Sequence, residues 1–268
     1  SSLAINEDGV FRLFPFIDDS VSINAVTSYK QAYEAAKQFG KFTFLLKDFD
    51  TSQLRDTIQS FHDLTLRCNE FEKVSKYADP KKLEQAKWAV SEIEKHKDIL
   101  TTYKQLKSSG KLPVRVIHHD AKINNVLFDN NWNGICLIDL DTVMAGYFIS
   151  DVGDMLRTYL SPANEDETDL SKIIVDEQCF EAIHNGYLSE MSTELTAFEK
   201  EHFIYAGKFM IYMQAIRFLT DYLNGDKYYH ITYAGQNLNR ANNQLTLLNQ
   251  LIKLEEKIQL ANHSPIKD

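Results

Sequence analysis

The chain has 268 residues, 44% of them apolar, with 29 basic side chains against 38 acidic ones and a formal net charge of −9. That apolar content supplies a sizeable core, while the acidic balance argues against nucleic-acid or anionic-membrane binding, both of which need a basic face, and leaves a small-molecule partner as the expectation. Cys68, Cys136 and Cys179 have neither disulfide parity nor metal-ligand spacing, and no apolar run forms a leader or reaches spanning length, so a reduced, cytoplasmic protein without a membrane partner is expected.

In chain order, GVFRLFPFI (Gly9 to Ile17) has the composition of a strand interrupted by Pro15, which suits a sheet edge or a hinge. Val26, Tyr29, Tyr33, Ala36 and Phe39 then repeat at helical spacing, predicting a helix over about 24–39 with Gly40 as its stop. Asp79 and Pro80 form an N-cap and first-turn pair that opens one long helix running toward Gly110. Three short strands follow, VRVIH, NVLFD and GICLIDL, with the turn DNNWNG between the last two. In SDVGDMLR, Asp151 and Asp154 open a further helix, where carboxylates relieve unpaired N–H groups; both read as supports for a neighbouring loop. Helical runs near 176–188, 197–224 and 235–260 complete a chain without repeats or a flexible linker, which predicts one compact unit.

The chemistry concentrates in VIHHDAKINNVLFD, Val116 to Asp129. If the following turn centres on Trp132, Asn125 and Asp139 lie seven residues to either side and become cross-strand neighbours. An amide oxygen and a carboxylate at the open end of a hairpin are hard ligands suited to magnesium, which keeps waters and substrate phosphates in its remaining positions. Asp120 sits in the loop entering the same hairpin, placed to face a substrate hydroxyl across the metal.

His118, Asp120, Lys122, Asn125 and Asp139 resemble the signature shared by protein kinases and the aminoglycoside phosphotransferase and choline kinase superfamily. LPVRVIHHDAKINNVLFD, CLIDLDTVMAGYFISDVGDMLR, FHDLTLR, GYL and IRFLTDYLNGDKYY together resemble the N-acetylhexosamine 1-kinases, which phosphorylate the anomeric hydroxyl of N-acetylglucosamine or N-acetylgalactosamine. The resemblance implies an α+β, mainly α fold: the helical C-terminal lobe of a protein-kinase-like architecture, with a small central β-hairpin carrying the catalytic loop. It implies ATP and magnesium as cofactors, a sugar as substrate, Asp120 as the base and Lys122 as a neutralising cation, with Asn125 and Asp139 on the metal. Ile123, Arg217 and Tyr228 match sugar-contacting positions beside Asp120 and Lys122, and His118 matches the histidine that packs the loop.

The resemblance also marks what this sequence lacks. The family's mostly β N-terminal lobe carries a phosphate-gripping lysine and its glutamate partner; neither is identifiable before residue 9, and no two glycines come closer than Gly146 and Gly153, so no glycine-rich cradle is present. Residues 1–17 then read as the last strand of that lobe and the hinge, where Pro15, Phe16 and Ile17 offer backbone groups to adenine, and 18–268 as the helical lobe. On that reading this chain binds sugar better than it turns over ATP.

Each position has a plainer alternative. Asp120 and Asn125 suit loop caps and turns, Lys122 an ordinary exposed lysine, and Tyr228 a half-buried tyrosine. Arg217, four residues before Asp221, suits a structural ion pair, and His62, Asp63 and Arg67, which could line the sugar pocket, suit a capped helix start equally well. A noncatalytic sugar-binding lobe and a kinase acting on choline, homoserine or an aminoglycoside are the competing functions. A mucin-sugar sulfatase is disfavoured, because Glu70, Ile138 and Glu181 stand where its motif places proline two residues after the cysteine.

Overall fold

Strand pairing opens the chain: β1 (Leu3–Asn6) and β2 (Gly9–Arg12) form an antiparallel hairpin. The structure is a computed structural model and describes residues 3–263. Asn6 Oδ1 accepts from the N–H groups of Asp8 and Gly9, closing the turn. The strand expected to continue to Ile17 stops at Arg12, and residues 13–17 run on as coil, with Phe16 88% exposed. Pro15, with no N–H to donate, cannot extend a ladder.

Ser28 caps α1 (Tyr29–Leu45) by accepting from the Gln31 N–H. This helix starts later than the apolar spacing predicts and passes straight through Gly40. Tertiary packing accounts for that glycine. A Cβ at Gly40 would lie 2.9 Å from the carbonyl oxygen of Tyr187, and one at Gly186 would lie 2.2 Å from that of Tyr33. The two glycines let α1 and a later helix, α7 (Glu177–Met191), cross with their backbones in close approach.

Asp63 caps α2 (Leu64–Ser75). The single helix expected from Asp79 to Gly110 is three: α3 (Pro80–Gln85), α4 (Lys87–Lys95) and α5 (Asp98–Ser108). The breaks keep these short helices wrapped on a later one, whose tyrosine hydroxyls reach back to their carbonyls: Tyr212 to Ile93 and Tyr205 to Ile99, each at 2.8 Å. The Ile93 carbonyl lies in the last turn of α4, where helical partners run out.

The small strands frame the loops. β3 (Arg115–Ile117) pairs antiparallel with β6 (Met144–Gly146), and β4 (Val126–Phe128) with β5 (Gly134–Leu137). Val21 bridges to Phe128 on the outer edge of β4. Thus the first of the three expected strands pairs outside the expected hairpin, with a strand the composition does not reveal.

The helical body follows as α6 (Ile149–Tyr159), α7 (Glu177–Met191), α8 (Ala197–Glu201), α9 (Phe203–Leu223) and α10 (Gln236–His263). The expected run 197–224 divides at His202, whose backbone caps the break. Apolar around most of its circumference, α9 is the centre of the core, packed by α2, α6 and α10. The result is mainly helical, 56% helix and 8% strand. Among the described residues no helix is long and apolar enough to cross a membrane.

The crossing of α1 on α7 has a direct test. Gly186→Ala drives a methyl into the Tyr33 carbonyl and is expected to lower unfolding free energy by about 1–3 kcal/mol, as overpacking does, read from urea midpoints. A change below about 0.5 kcal/mol, the level of a neutral surface substitution, would show that the helices separate freely.

Candidate active site

The loop leaving β3 is held by side chains from elsewhere in the chain. Asp151, in the first turn of α6 and fully buried, accepts from the His118 N–H at 2.8 Å and the His119 N–H at 2.7 Å. Thr142 donates to the His118 carbonyl and Tyr159 to the Ala121 carbonyl, each at 2.7 Å. The His118 ring lies edge-on to Phe39 and its Nε2 meets the Ile138 carbonyl at 3.0 Å. His119 adopts a left-handed φ of +65°, a conformation that costs a non-glycine residue about 1–2 kcal/mol. Two hydrogen bonds to a carboxylate, each worth about 1.5–3 kcal/mol, outweigh that cost and fix the turn that presents the next residue.

That residue is Asp120. Its Oδ1 lies 3.0 Å from Lys122 Nζ, and its Oδ2 accepts from Asn125 Nδ2 at 2.9 Å. The same Nδ2 donates to the Asp120 carbonyl at 2.9 Å. With two acceptors on the nitrogen side, the Asn125 amide orientation is fixed and its Oδ1 points away from Asp120.

The hairpin register differs by one residue from the expected one. Val126 faces Leu137, and Ile138 N–H donates to the Asn125 carbonyl at 2.9 Å, so Asn125 stands opposite Ile138. The turn is centred on Asn131, since Asp129 N–H donates to the Asn133 carbonyl and Phe128 faces Gly134, and a bulge between Leu127 and Phe128 recovers one of the two residues of offset set there. Asp139 comes next, left-handed at φ 59° and ψ 58°, exposed and without a side-chain hydrogen bond or ion pair among the described residues. Its carboxylate and Asn125 Oδ1 are two hard oxygens at one end of one hairpin. That donor set fits magnesium, whose other positions go to water and phosphate.

A cavity of about 510 Å³ opens beside the loop. Asp120, Lys122, Ile123, Arg217 and Tyr228, five of the residues singled out from the sequence, line it together. Asn125, Asp139, Pro15, Phe16 and Ile17 do not. The Ile17 carbonyl accepts from the Ser20 hydroxyl at 2.7 Å, and Pro15 and Phe16 are exposed on the approach from β2.

The ion pair considered for Arg217 is not formed. Asp221 instead accepts from the N–H groups of Lys227, Tyr228 and Tyr229 and from Asn237, holding the turn after α9. Arg217 donates to Gln214 at 3.0 Å and lays its guanidinium against Phe61, Tyr228 and Tyr229, with ring centroids 5.6, 5.8 and 5.5 Å away. No carboxylate pairs with it among the described residues.

Asp154, read from the sequence as a support, and His62, read as a pocket or cap residue, also line the cavity, while Arg157 and His119 escape the sequence reading. Asp154 turns into the cavity from α6, and Arg157 Nε and Nη2 each lie 3.0 Å from its Oδ1. Arg157 Nη1 continues to Glu165 at 3.0 Å. Burial raises the Asp154 carboxyl above its usual range, opposed by Arg157 and reinforced by the charge on Asp120. The three-residue spacing of Asp154 and Arg157 on a helix is the one signal that could have found them. The pairing of His62 with His119 had no such signal, since 56 residues separate them in the chain. Their rings sit 5.4 Å apart, each with a buried Nδ1 lacking a partner among the described residues. Burial is the main cause holding both imidazoles below their ordinary pKa; at His62 the neighbouring His119 and Arg217 add to it, and at His119 the carboxylate of Asp151 partly opposes it.

Comparison with known proteins places this site in context. The family model described as "phosphotransferase enzyme family" (APH) matches residues 3–183, more than half of the chain. An aminoglycoside phosphotransferase from Alicyclobacillus acidocaldarius superposes with a TM-score of 0.71 at 13% identity, over 97% of this chain and 75% of that one. A choline kinase from Cryptosporidium parvum superposes with a TM-score of 0.54 at 15% identity, over 97% of this chain and 74% of that one. At such identities the likeness is one of fold, and the helical body with its small hairpin is the helical lobe of a kinase-like architecture.

The histidine pair makes stability depend on pH. Both folded pKa values lie below the unfolded value of about 6.5, so the unfolded chain binds more protons once pH falls through that value and stability must drop. Urea unfolding from pH 7.5 to 5.5 is expected to lose at most about 1.4 kcal/mol per pH unit for each histidine, with His62→Gln flattening the profile. A profile that rises toward acid would contradict the burial of neutral imidazoles.

Proposed function

The chain belongs to the phosphotransferase enzyme family, and from that premise we propose that it moves the terminal phosphoryl group of ATP, with magnesium, onto the anomeric hydroxyl of an N-acetylhexosamine. One observation carries the reading: a carboxylate, Asp120, is oriented by Asn125 and Lys122 at the mouth of a cavity whose far wall holds Arg217.

Asp120 accepts the proton of the sugar hydroxyl as its oxygen bonds to phosphorus and the bond from phosphorus to the departing ADP oxygen breaks. Asn125 Oδ1 and Asp139 would hold magnesium, which when bound would neutralise phosphate charge. Lys122, 3.0 Å from Asp120, holds Asp120 Oδ1 in place and sets a positive charge beside the reacting oxygens. Ile123 supplies an apolar wall, and Arg217 and Tyr228 give donors to the sugar's oxygens. The backbone N–H groups of Phe16 and Ile17 face adenine at the hinge.

Arg217 also argues against a quaternary-ammonium acceptor. Such cations need open aromatic faces, and here the guanidinium already lies against Phe61, Tyr228 and Tyr229. A neutral, hydroxyl-rich acceptor uses the donors that a cation would be repelled by.

ADP release by the protein in its full natural length, with N-acetylglucosamine, N-acetylgalactosamine, choline and an aminoglycoside in parallel, tests the proposal. The expected kcat/KM for one amino sugar exceeds that for choline by at least about 100-fold, with a phosphorus NMR signal assigning the product phosphate to C1. Asn125→Ala is expected to raise the magnesium needed for half-maximal rate by about tenfold. Preference for choline, or phosphate on a primary hydroxyl, would sink the acceptor assignment.

A further inference from the structure

Asp151 and Asp154 stand three residues apart on α6 and differ in what they hold. Asp151 gives both carboxylate oxygens to the N–H groups of His118 and His119. Asp154 is the sixth residue of the helix, past the first turn whose N–H groups a carboxylate can relieve. Its Oδ1 is engaged by Arg157, 3.0 Å from both Nε and Nη2, while its Oδ2 takes no hydrogen bond among the described residues.

That open oxygen lies in a place where its partner must come from a ligand. Asp154 is 4% exposed, and it lines the cavity beside Asp120. Its charge is offset by Arg157 through Oδ1; what stays unmatched is the hydrogen-bonding capacity of Oδ2. In the free protein cavity water supplies it, and a ligand that displaces that water without offering a donor loses affinity. Other polar groups of the lining are occupied by the protein itself. The Thr158 hydroxyl donates to the Asp154 carbonyl at 2.7 Å, and Asn243 Nδ2 donates to the carbonyls of Asn164 and Glu167 at 3.0 and 3.1 Å. Oδ2 therefore suits a neutral donor, an O–H or an amide N–H, which gains a charge-assisted hydrogen bond without bringing a second charge.

The surroundings narrow the donor further. Burial acts most on the Asp154 carboxyl, followed by Arg157, but the charges of Asp120 and Lys122 reach it too, so the two carboxylates look onto one region of the cavity. With the reacting hydroxyl at Asp120, the donor that meets Asp154 belongs to the neighbouring carbon. We propose that Asp154 Oδ2 accepts a hydrogen bond from that neighbouring donor, which in an N-acetylhexosamine is the N–H of the 2-acetamido group. The assignment rests on the acceptor reading above and adds to it a contact that selects an amide at C2. Asp154 touches the acceptor and takes no part in the proton transfer.

Calorimetric titration of the protein in its full natural length tests this with two sugars, N-acetylglucosamine and 2-O-acetylglucose, an ester that keeps the acetyl group and replaces the N–H by oxygen. Wild type is compared with Asp154→Asn. Arg157 only donates, so it keeps the amide oxygen of the variant on its own side and turns the NH2 group toward the ligand. For the wild type the expected Kd for the ester exceeds that for the amide by about 10- to 100-fold, the range for a hydrogen bond to a charged group. Asp154→Asn is expected to weaken N-acetylglucosamine by a similar factor while binding the ester within about threefold of wild type or tighter, so that the preference vanishes. A purely structural role would weaken both sugars alike and leave the preference standing, which would overturn the assignment. So would a wild type that binds amide and ester within about threefold of each other, a result read without any variant. The two readings fail differently: if the wild type binds neither sugar, the acceptor reading falls and takes this assignment with it, whereas binding of both without preference removes the assignment alone.

Discussion

A single buried carboxylate sets the geometry on which the site depends. Asp151 reaches from the first turn of α6 to two consecutive N–H groups, those of His118 and His119. Its charge is offset by those donors and by the positive end of the helix that carries it. The bonds exceed the cost of the left-handed turn at His119, and that turn aims Asp120 at the cavity. Because α6 is itself packed against the central α9, the loop inherits the rigidity of the core. The Asp120 carboxylate, though on a loop, is then held nearly as firmly as one on a helix.

The same economy of contacts governs the substrate side. Asp221 gives its carboxylate to the turn after α9 and so releases Arg217 from the ion pair that their spacing invites. Arg217 is left to be oriented by Gln214 and three aromatic rings, which fix its plane while leaving donors open. Asp154 and Arg157 do the reverse and bind each other, with Glu165 on the far side of the guanidinium, so the charges of the cavity wall beside Asp120 are already engaged. Where a charged group is paired it shapes the site, and where it is unpaired it is available to a ligand. Arg217 is the clearest case of the second kind.

The fold class and the loop-and-hairpin frame around Asp120 were legible in the sequence because they rest on local pattern. The loop from His118 to Asn125 and the hairpin behind it read directly as a strand, a loop and a turn, and the residue types in them suit metal-assisted phosphoryl transfer. What was misread depends on distant packing. Gly40 looks like a helix stop until Gly186 is placed against the same crossing, and the helix from Asp79 looks continuous until α9 draws it into three pieces. The one-residue register change at Asn125 follows from a turn centred on Asn131 and not on Trp132, an offset of two that the bulge only half recovers, and no residue announces either. Val116 pairs with Ala145 across 29 residues, and His62 meets His119 across 57; neither juxtaposition leaves a periodic trace.

The central claim is that Asp120 acts on the acceptor proton in the transition state and contributes little to ground-state binding. Rapid-quench single-turnover kinetics of Asp120→Asn, paired with the calorimetric Kd for N-acetylglucosamine, measures both terms. The account predicts a rate lower by about 100- to 10,000-fold, the range for a lost general base, with the sugar Kd within about threefold of wild type. A rate within about tenfold of wild type, or a loss of sugar affinity equal to the loss of rate, would contradict it.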